Sequence, residues 1–177
     1  DALRLASTEV SCEQGVDFFN IFLAPFISGL SPEEIKDELA RFLSSLNLTV
    51  STGISFGIET EIPSFIAESK AIGPNGNVIG VYGDYADEAF ILSSLILDIF
   101  SEMCNFKPIF NPSLIIRVHP EKLVSSDVEG LLYKAHLLAV YGLPYFANIF
   151  FGSEEKVSYT ANGQGFSANW KGDWELD

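Results

Sequence analysis

Residues 18–43 read FFNIFLAPFISGLSPEEIKDELARFL, and this stretch decides how the chain is organised. Pro25 interrupts a run so apolar that it would otherwise read as one buried helix. Beyond it, Ser31-Pro32-Glu33-Glu34 carries the chemistry of a helix start. Ser31 can cap free backbone amides, Pro32 suits the first helical position, and Glu34 closes a capping box. The pattern predicts two helices joined at a proline-marked elbow, both packed against something larger than themselves.

Working outward, the apolar residues Leu3, Ala6, Val10, Phe18 and Phe22 return at helical spacing, which predicts a helix over residues 3–23 despite Gly15. A second helix is expected over residues 32–46, with Ile35, Leu39, Phe42, Leu43 and Leu46 on one face and Asn47 as a stop. Residues 48–60 switch to a period of two through Val50, Thr52, Ile54, Phe56 and Ile58, a strand pattern. Gly53 and Gly57 leave one side of that strand bare, which implies close approach of a backbone or a ligand. Residues 61–83, rich in proline and glycine, read as a long loop.

Asp84 then caps a helix over residues 85–103. Residues 109–119, IFNPSLIIRVH, form a strand apolar on both faces, as a parallel, helix-covered strand requires. A helix from Ser126 to Tyr141 ends at Gly142 with Pro144 beyond, and residues 145–151, YFANIFF, read as a third buried strand. The expected class is α/β, with helices packed outside a mainly parallel sheet or a barrel sector. Residues 1–160 form the expected domain, and residues 161–177 read as an irregular tail.

Composition narrows the function classes. Hydrophobic residues make up 47% of 177, with fifteen phenylalanines, so a packed core is expected rather than disorder. A formal charge of −14 repels phosphate backbones and argues against sequence-independent nucleic-acid binding. The strongest apolar run, residues 89–100, is broken by Ser93, Ser94 and Asp98, so no membrane span is expected. Two cysteines, Cys12 and Cys104, make neither a disulfide framework nor a zinc site, which suits a reducing, cytoplasmic setting. The chain opens at Asp1 without a methionine and is read as a fragment.

Several ordered blocks carry a family resemblance. They are Leu23-Ala24-Pro25-Phe26, Gly29-Leu30-Ser31 with Glu33-Glu34-Ile35-Lys36, Leu46-Asn47, Ala71-Ile72-Gly73, Tyr82-Gly83-Asp84, the strand of residues 110–119, and Tyr141-Gly142-Leu143-Pro144-Tyr145-Phe146 with Asn148. Spanning residues 16–151, they resemble the barrel region of the anaerobic ribonucleoside-triphosphate reductases, which are glycyl radical enzymes, or their YjjI-type relatives of unknown substrate. The resemblance implies a ten-stranded α/β barrel that shelters a protein radical. It further implies a glycyl radical installed by an iron–sulfur S-adenosylmethionine activase, a thiyl radical that attacks the substrate, and a homo-oligomer. The substrate would be a small molecule such as a ribonucleoside triphosphate, with the activating enzyme as the protein partner.

The sequence departs from that pattern in three ways. It carries no Arg-Val-x-Gly-Tyr type radical loop, and neither cysteine sits where the family places its thiyl residue, so the chain alone is expected to be inactive with no catalytic residue of its own. Where reductases show Gly-Gln-Thr, this chain has Gly53-Ile54-Ser55, which keeps a non-nucleotide substrate open. A non-catalytic half-barrel serving as a binding or assembly module is the alternative of another class.

A buried radical site needs a few polar groups to orient substrate. Asn111 and Ser113 at a strand start, Asn148 between Phe146 and Phe150, and Ser55 beside the strand glycines are the candidate substrate contacts, with Thr52 a weaker one. Each also has a structural reading as a local hydrogen bonder. Arg117 and His119, two apart on one strand face, suggest an anion contact or a solvated strand end. Glu59 and Glu61 read as a solvated strand edge, His136 as a partly exposed helix residue, and no metal-ligand spacing is present.

Overall fold

The computed structural model describes residues 2–10, 13–49, 52–107, 109, 111–119, 125–149, 157–159 and 165–167. In chain order these form α1 (Ala2–Glu9), β1 (Gln14–Val16), α2 (Phe19–Ile27), α3 (Pro32–Thr49), β2 (Ile54–Glu59), the short α4 (Ser64–Ala67), β3 (Lys70–Ile72) and β4 (Val78–Val81). Then follow α5 (Ala86–Phe106), β5 (Ser113–Val118), α6 (Ser126–Leu138), β6 (Tyr145–Asn148), β7 (Val157–Tyr159) and β8 (Gly165–Ser167).

Four strands make one sheet in the order β1-β2-β5-β6, every neighbouring pair parallel. Spatial order follows chain order without reversal, so each crossover steps the same way and the helices collect on one face. The core reflects this. Ile54, Phe56 and Ile58 of β2 and Leu114, Ile116 and Val118 of β5 pack with Phe19, Ile21, Leu43, Leu92, Ile96 and Phe100 from α2, α3 and α5. The alternate residues turn to the second face, where Ile115, Ala147 and Ile149 form a separate small cluster. A stack of Phe19 on Phe56, with ring centroids 4.1 Å apart, fixes α2 to β2.

The start of α3 forms as its sequence dictates. The Ser31 amide donates to Glu34 Oε2 at 2.9 Å, and the Glu34 amide donates to Ser31 Oγ at 3.3 Å. Together they hold the exposed Glu34 carboxyl below its usual range. Helix α6 runs on into a 3₁₀ turn, Ala139–Tyr141, which ends where Gly142 takes φ 80° in the left-handed region. The stretch Tyr82–Phe106 is long and apolar enough to cross a membrane by length and composition. In this fold it is a core helix, with Ala89, Leu92, Ile96, Leu97, Ile99 and Phe100 buried.

Several expectations are corrected. Residues 3–23 are not one helix: they divide into α1, β1 and the start of α2, because Gly15 pairs in the sheet and Phe18 turns the chain at φ 53°. Pro25 lies buried inside α2, and the elbow sits later, at Gly29 with φ 85°. The α2–α3 pair is only half covered, since Phe22, Phe26, Leu30 and Phe42 remain exposed. Helix α3 runs past Asn47 to Thr49. The long loop contains α4 and the antiparallel β3–β4 pair. Strand β6 is the sheet's edge, so Tyr145, Phe146 and Asn148 are exposed and only Ala147 is buried. Within the expected tail, Gly165–Ser167 pairs antiparallel with Val157–Tyr159. Cys12 and Phe110 fall outside the described residues.

One polar link crosses the apolar layer. The Asn20 amide accepts from Glu59 N–H and donates to Glu59 C=O, both at 3.0 Å, as a neighbouring strand would. Asn20 also donates to Ser93 Oγ at 2.9 Å. Asn20→Ala leaves the Glu59 main chain without these partners and should cost about 2–4 kcal/mol of stability. Exposed Asn148→Ala should stay within about 0.5 kcal/mol. Urea denaturation of both variants checks the contrast, and equal midpoints would remove the strand-like role of Asn20.

Candidate functional site

The side chains with the most chemistry gather at the carboxyl ends of β1, β2 and β5, where open parallel sheets place their ligands. Gly57 starts the arrangement. A Cβ there would lie 2.9 Å from Asp17 Oδ1 and 3.2 Å from Asp17 Cα, so only glycine admits the turn that follows β1. The close approach implied by the bare strand face is therefore that of this chain's own Asp17. The next residue, Phe18, holds the left-handed conformation at φ 53° and ψ 31°, uncommon for a bulky side chain. Its ring lies under Arg117, with the guanidinium carbon 5.2 Å from the ring centroid. It also meets Phe22 and Phe65 edge to face.

Register then brings Glu59 beside Arg117 across β2 and β5. Arg117 Nε lies 2.5 Å from Glu59 Oε1, a close ion pair poorly aligned for a hydrogen bond. His119 Nε2 lies 2.9 Å from Glu59 Oε2. The Glu59 side chain has no exposure, that of Arg117 1%, and that of His119 8%, so His119 is the outermost of the three. Thr60 Oγ1 donates to Arg117 C=O at 3.2 Å and ties the two strand ends together. Burial pushes the Glu59 carboxyl above its usual range, and Asp17 adds to that. The His119 contact and the Arg117 charge oppose the rise without cancelling it.

These positions correct the sequence reading. Glu59 is not a solvated edge residue, and Arg117 with His119 is not a solvated strand end; all three are buried. Their alternation was visible, with Arg117 and His119 two apart, but the register that pairs β2 with β5 was not. Glu61 lines a cavity of about 330 Å³ on the helix side, with Asn20, Glu59, Thr60, Asp87 and Asp127. His136 is exposed, its Nδ1 2.7 Å from Leu132 C=O.

The expected contacts Ser55 and Ser113 are register partners toward the amino ends of β2 and β5. Asn111 joins them, but its Oδ1 accepts from Ile54 N–H at 2.8 Å and its Nδ2 donates to Thr52 C=O at 3.1 Å, so the amide is committed to β2 backbone. Asn148 stands apart at the carboxyl end of β6, exposed. Cys104 is buried in the helix layer, where desolvation raises its thiol pKa and keeps it protonated. No set of ligating side chains among the described residues is placed to hold a metal ion.

Residues 1–165 match the family model described as anaerobic ribonucleoside-triphosphate reductase. The chain belongs to that family. Searches of curated proteins and of solved structures gave no match. The mixed α/β fold with a parallel four-stranded sheet is consistent with this family's region.

The raised Glu59 pKa has a signed consequence. The folded chain binds a proton more tightly than the unfolded chain, so this stabilisation is full below the ordinary carboxylate pKa and is lost as pH rises through the folded value. Relative to Glu59→Gln, which has no such proton, the native chain should lose up to about 1.4 kcal/mol per pH unit across that window. Urea midpoints measured at successive pH values read the difference, and parallel curves would contradict it.

Proposed function

We propose that this chain supplies a four-stranded sector of a ten-stranded α/β barrel in a glycyl radical enzyme of the ribonucleotide-reducing type, with the substrate on the sheet face opposite the helices. The observation that carries the reading is the unreversed order β1-β2-β5-β6 with its helices on one face. An unreversed parallel sheet continues naturally into a closed barrel, whose interior is the face the helices leave free. In this reading residues 1–160 are the barrel part and residues 161–177 lead away from it.

On that inner face Ser55 and Ser113 are neighbouring hydroxyls, whereas Asn148, the register partner of Val118, lies on the helix-facing side of β6 and is not part of the inner face. Asn111 fixes the start of β2 rather than touching substrate. The cavity on the helix side suits a triphosphate poorly, because Glu61, Asp87 and Asp127 line it. This favours the inner face for an anionic substrate.

The radical supplies hydrogen-atom abstraction, and an iron–sulfur S-adenosylmethionine activase is the partner that installs it. The described residues do not fit the thiyl role, since Cys104 lies behind the sheet. No step is therefore assigned to a cysteine here. This chain's residues orient substrate and exclude water. A homo-oligomer in the cytoplasm is the proposed setting.

The test uses the full-length protein, reduced anaerobically and treated with its activase and S-adenosylmethionine. A glycyl doublet in the electron paramagnetic resonance spectrum and conversion of a ribonucleoside triphosphate to its deoxy form are expected. Ser55→Ala and Ser113→Ala should raise KM about tenfold with the doublet intact. The 177-residue chain alone should give neither signal. A doublet without nucleotide reduction would move the substrate outside the nucleotides, and no doublet with a competent activase would overturn the radical assignment.

A further inference from the structure

The radical reading leaves the Glu59–His119 contact without a task, although it is among the most costly features of the fold. A carboxylate with no exposure is unfavourable unless its charge is fully offset. The charged groups bearing on Glu59 are Asp17 from the turn after β1, and Arg117 and His119 from β5. With Asp17 and Glu59 both ionised, Arg117 balances only one of them. From the helix side Asn20 engages only the Glu59 main chain and brings no charge.

We propose that Glu59 and His119 hold one proton in common across their 2.9 Å contact, and that His119 exchanges it with an ionisable hydroxyl of a ligand at the carboxyl rim. The ligand part of this proposal rests on the reading that substrate lies over the sheet's inner face. Geometry sets the roles. His119 is the outer member, while Glu59 is sealed beneath it by Arg117, with Phe18 lying under the guanidinium.

The exchange balances without an oxidant or reductant. A proton taken up at Nδ1 makes the imidazolium, whose Nε2 proton passes to Glu59 Oε2. The products are a carboxylic acid and a neutral imidazole carrying its proton on Nδ1. The reverse sequence returns the proton, and the ligand oxygen loses or gains it in step.

The test is an NMR titration of the chain without ligand, labelled with carbon-13 in the histidine rings and glutamate carboxyls. The chain has two histidines, so His136→Gln assigns the His119 ring by difference. The His119 ring and the Glu59 carboxyl should move together through one common transition. His119→Phe removes a contact that favours the ionised carboxylate, so Glu59 should bind its proton about tenfold more tightly. Its carboxyl should then show separate protonated and ionised signals, because the exchange route is gone.

Asp17→Asn keeps the shape over Gly57 and removes a negative charge, so it should weaken proton binding at Glu59. That variant carries the test if His119→Phe does not fold. A His119 ring that stays flat through the Glu59 transition, or a Glu59 midpoint unmoved by the substitutions, would overturn the proposal. Such a failure would leave the radical assignment standing, and loss of the glycyl doublet would leave the shared proton standing.

Discussion

The structure depends on keeping the Glu59 carboxyl buried at the end of a central strand. Everything around it answers that constraint. Its main-chain N–H and C=O are taken by Asn20, and its side chain by Arg117 and His119. Removing a single partner of a buried charge leaves the other uncompensated, which is why such clusters fail as a unit. Arg117 in turn rests on Phe18, and Phe18 can take its left-handed turn only because Gly57 yields space to Asp17. Backbone strain, a bare strand position and an ion cluster are thus one arrangement.

The same arrangement joins the two layers. Asn20 belongs to α2, which packs its Phe19 ring on Phe56 of β2, and its amide reaches Ser93 of α5. Helix packing on one face therefore sets the height of the charged rim on the other. Because all four strands step in one direction, the charged groups share one end of the sheet while Ser55, Ser113 and Asn111 share the other. A ligand lying along the inner face would meet hydroxyls near the amino ends and ionisable groups near the carboxyl ends.

Much of the fold was legible because it rests on local chemistry. The capping box at Ser31 and Glu34, the stop at Gly142, the core periodicity of α5 and the two-faced apolar run of β5 are all written within a few residues. What misled was local too. Residues 14–16 lack apolar alternation, so β1 is a strand only because β2 pairs with it. Pro25 resembled an elbow, yet it lies buried inside α2 and the turn comes later, at Gly29. The apolar run of residues 145–151 promised a buried strand, but an edge position leaves Phe146 exposed.

The sequence by itself determined the start of α3, the α/β alternation, the parallel character of β5 and, through its ordered blocks, the family. Those follow from periodicity and capping, which act over a turn or two. Only the tertiary structure decided that Glu59, Arg117 and His119 meet, that Asn111 serves the backbone, and that Asn20 completes the sheet. Those facts depend on register between strands about sixty residues apart, as the Glu59–His119 pair shows. Register is set by packing rather than by any neighbouring residue.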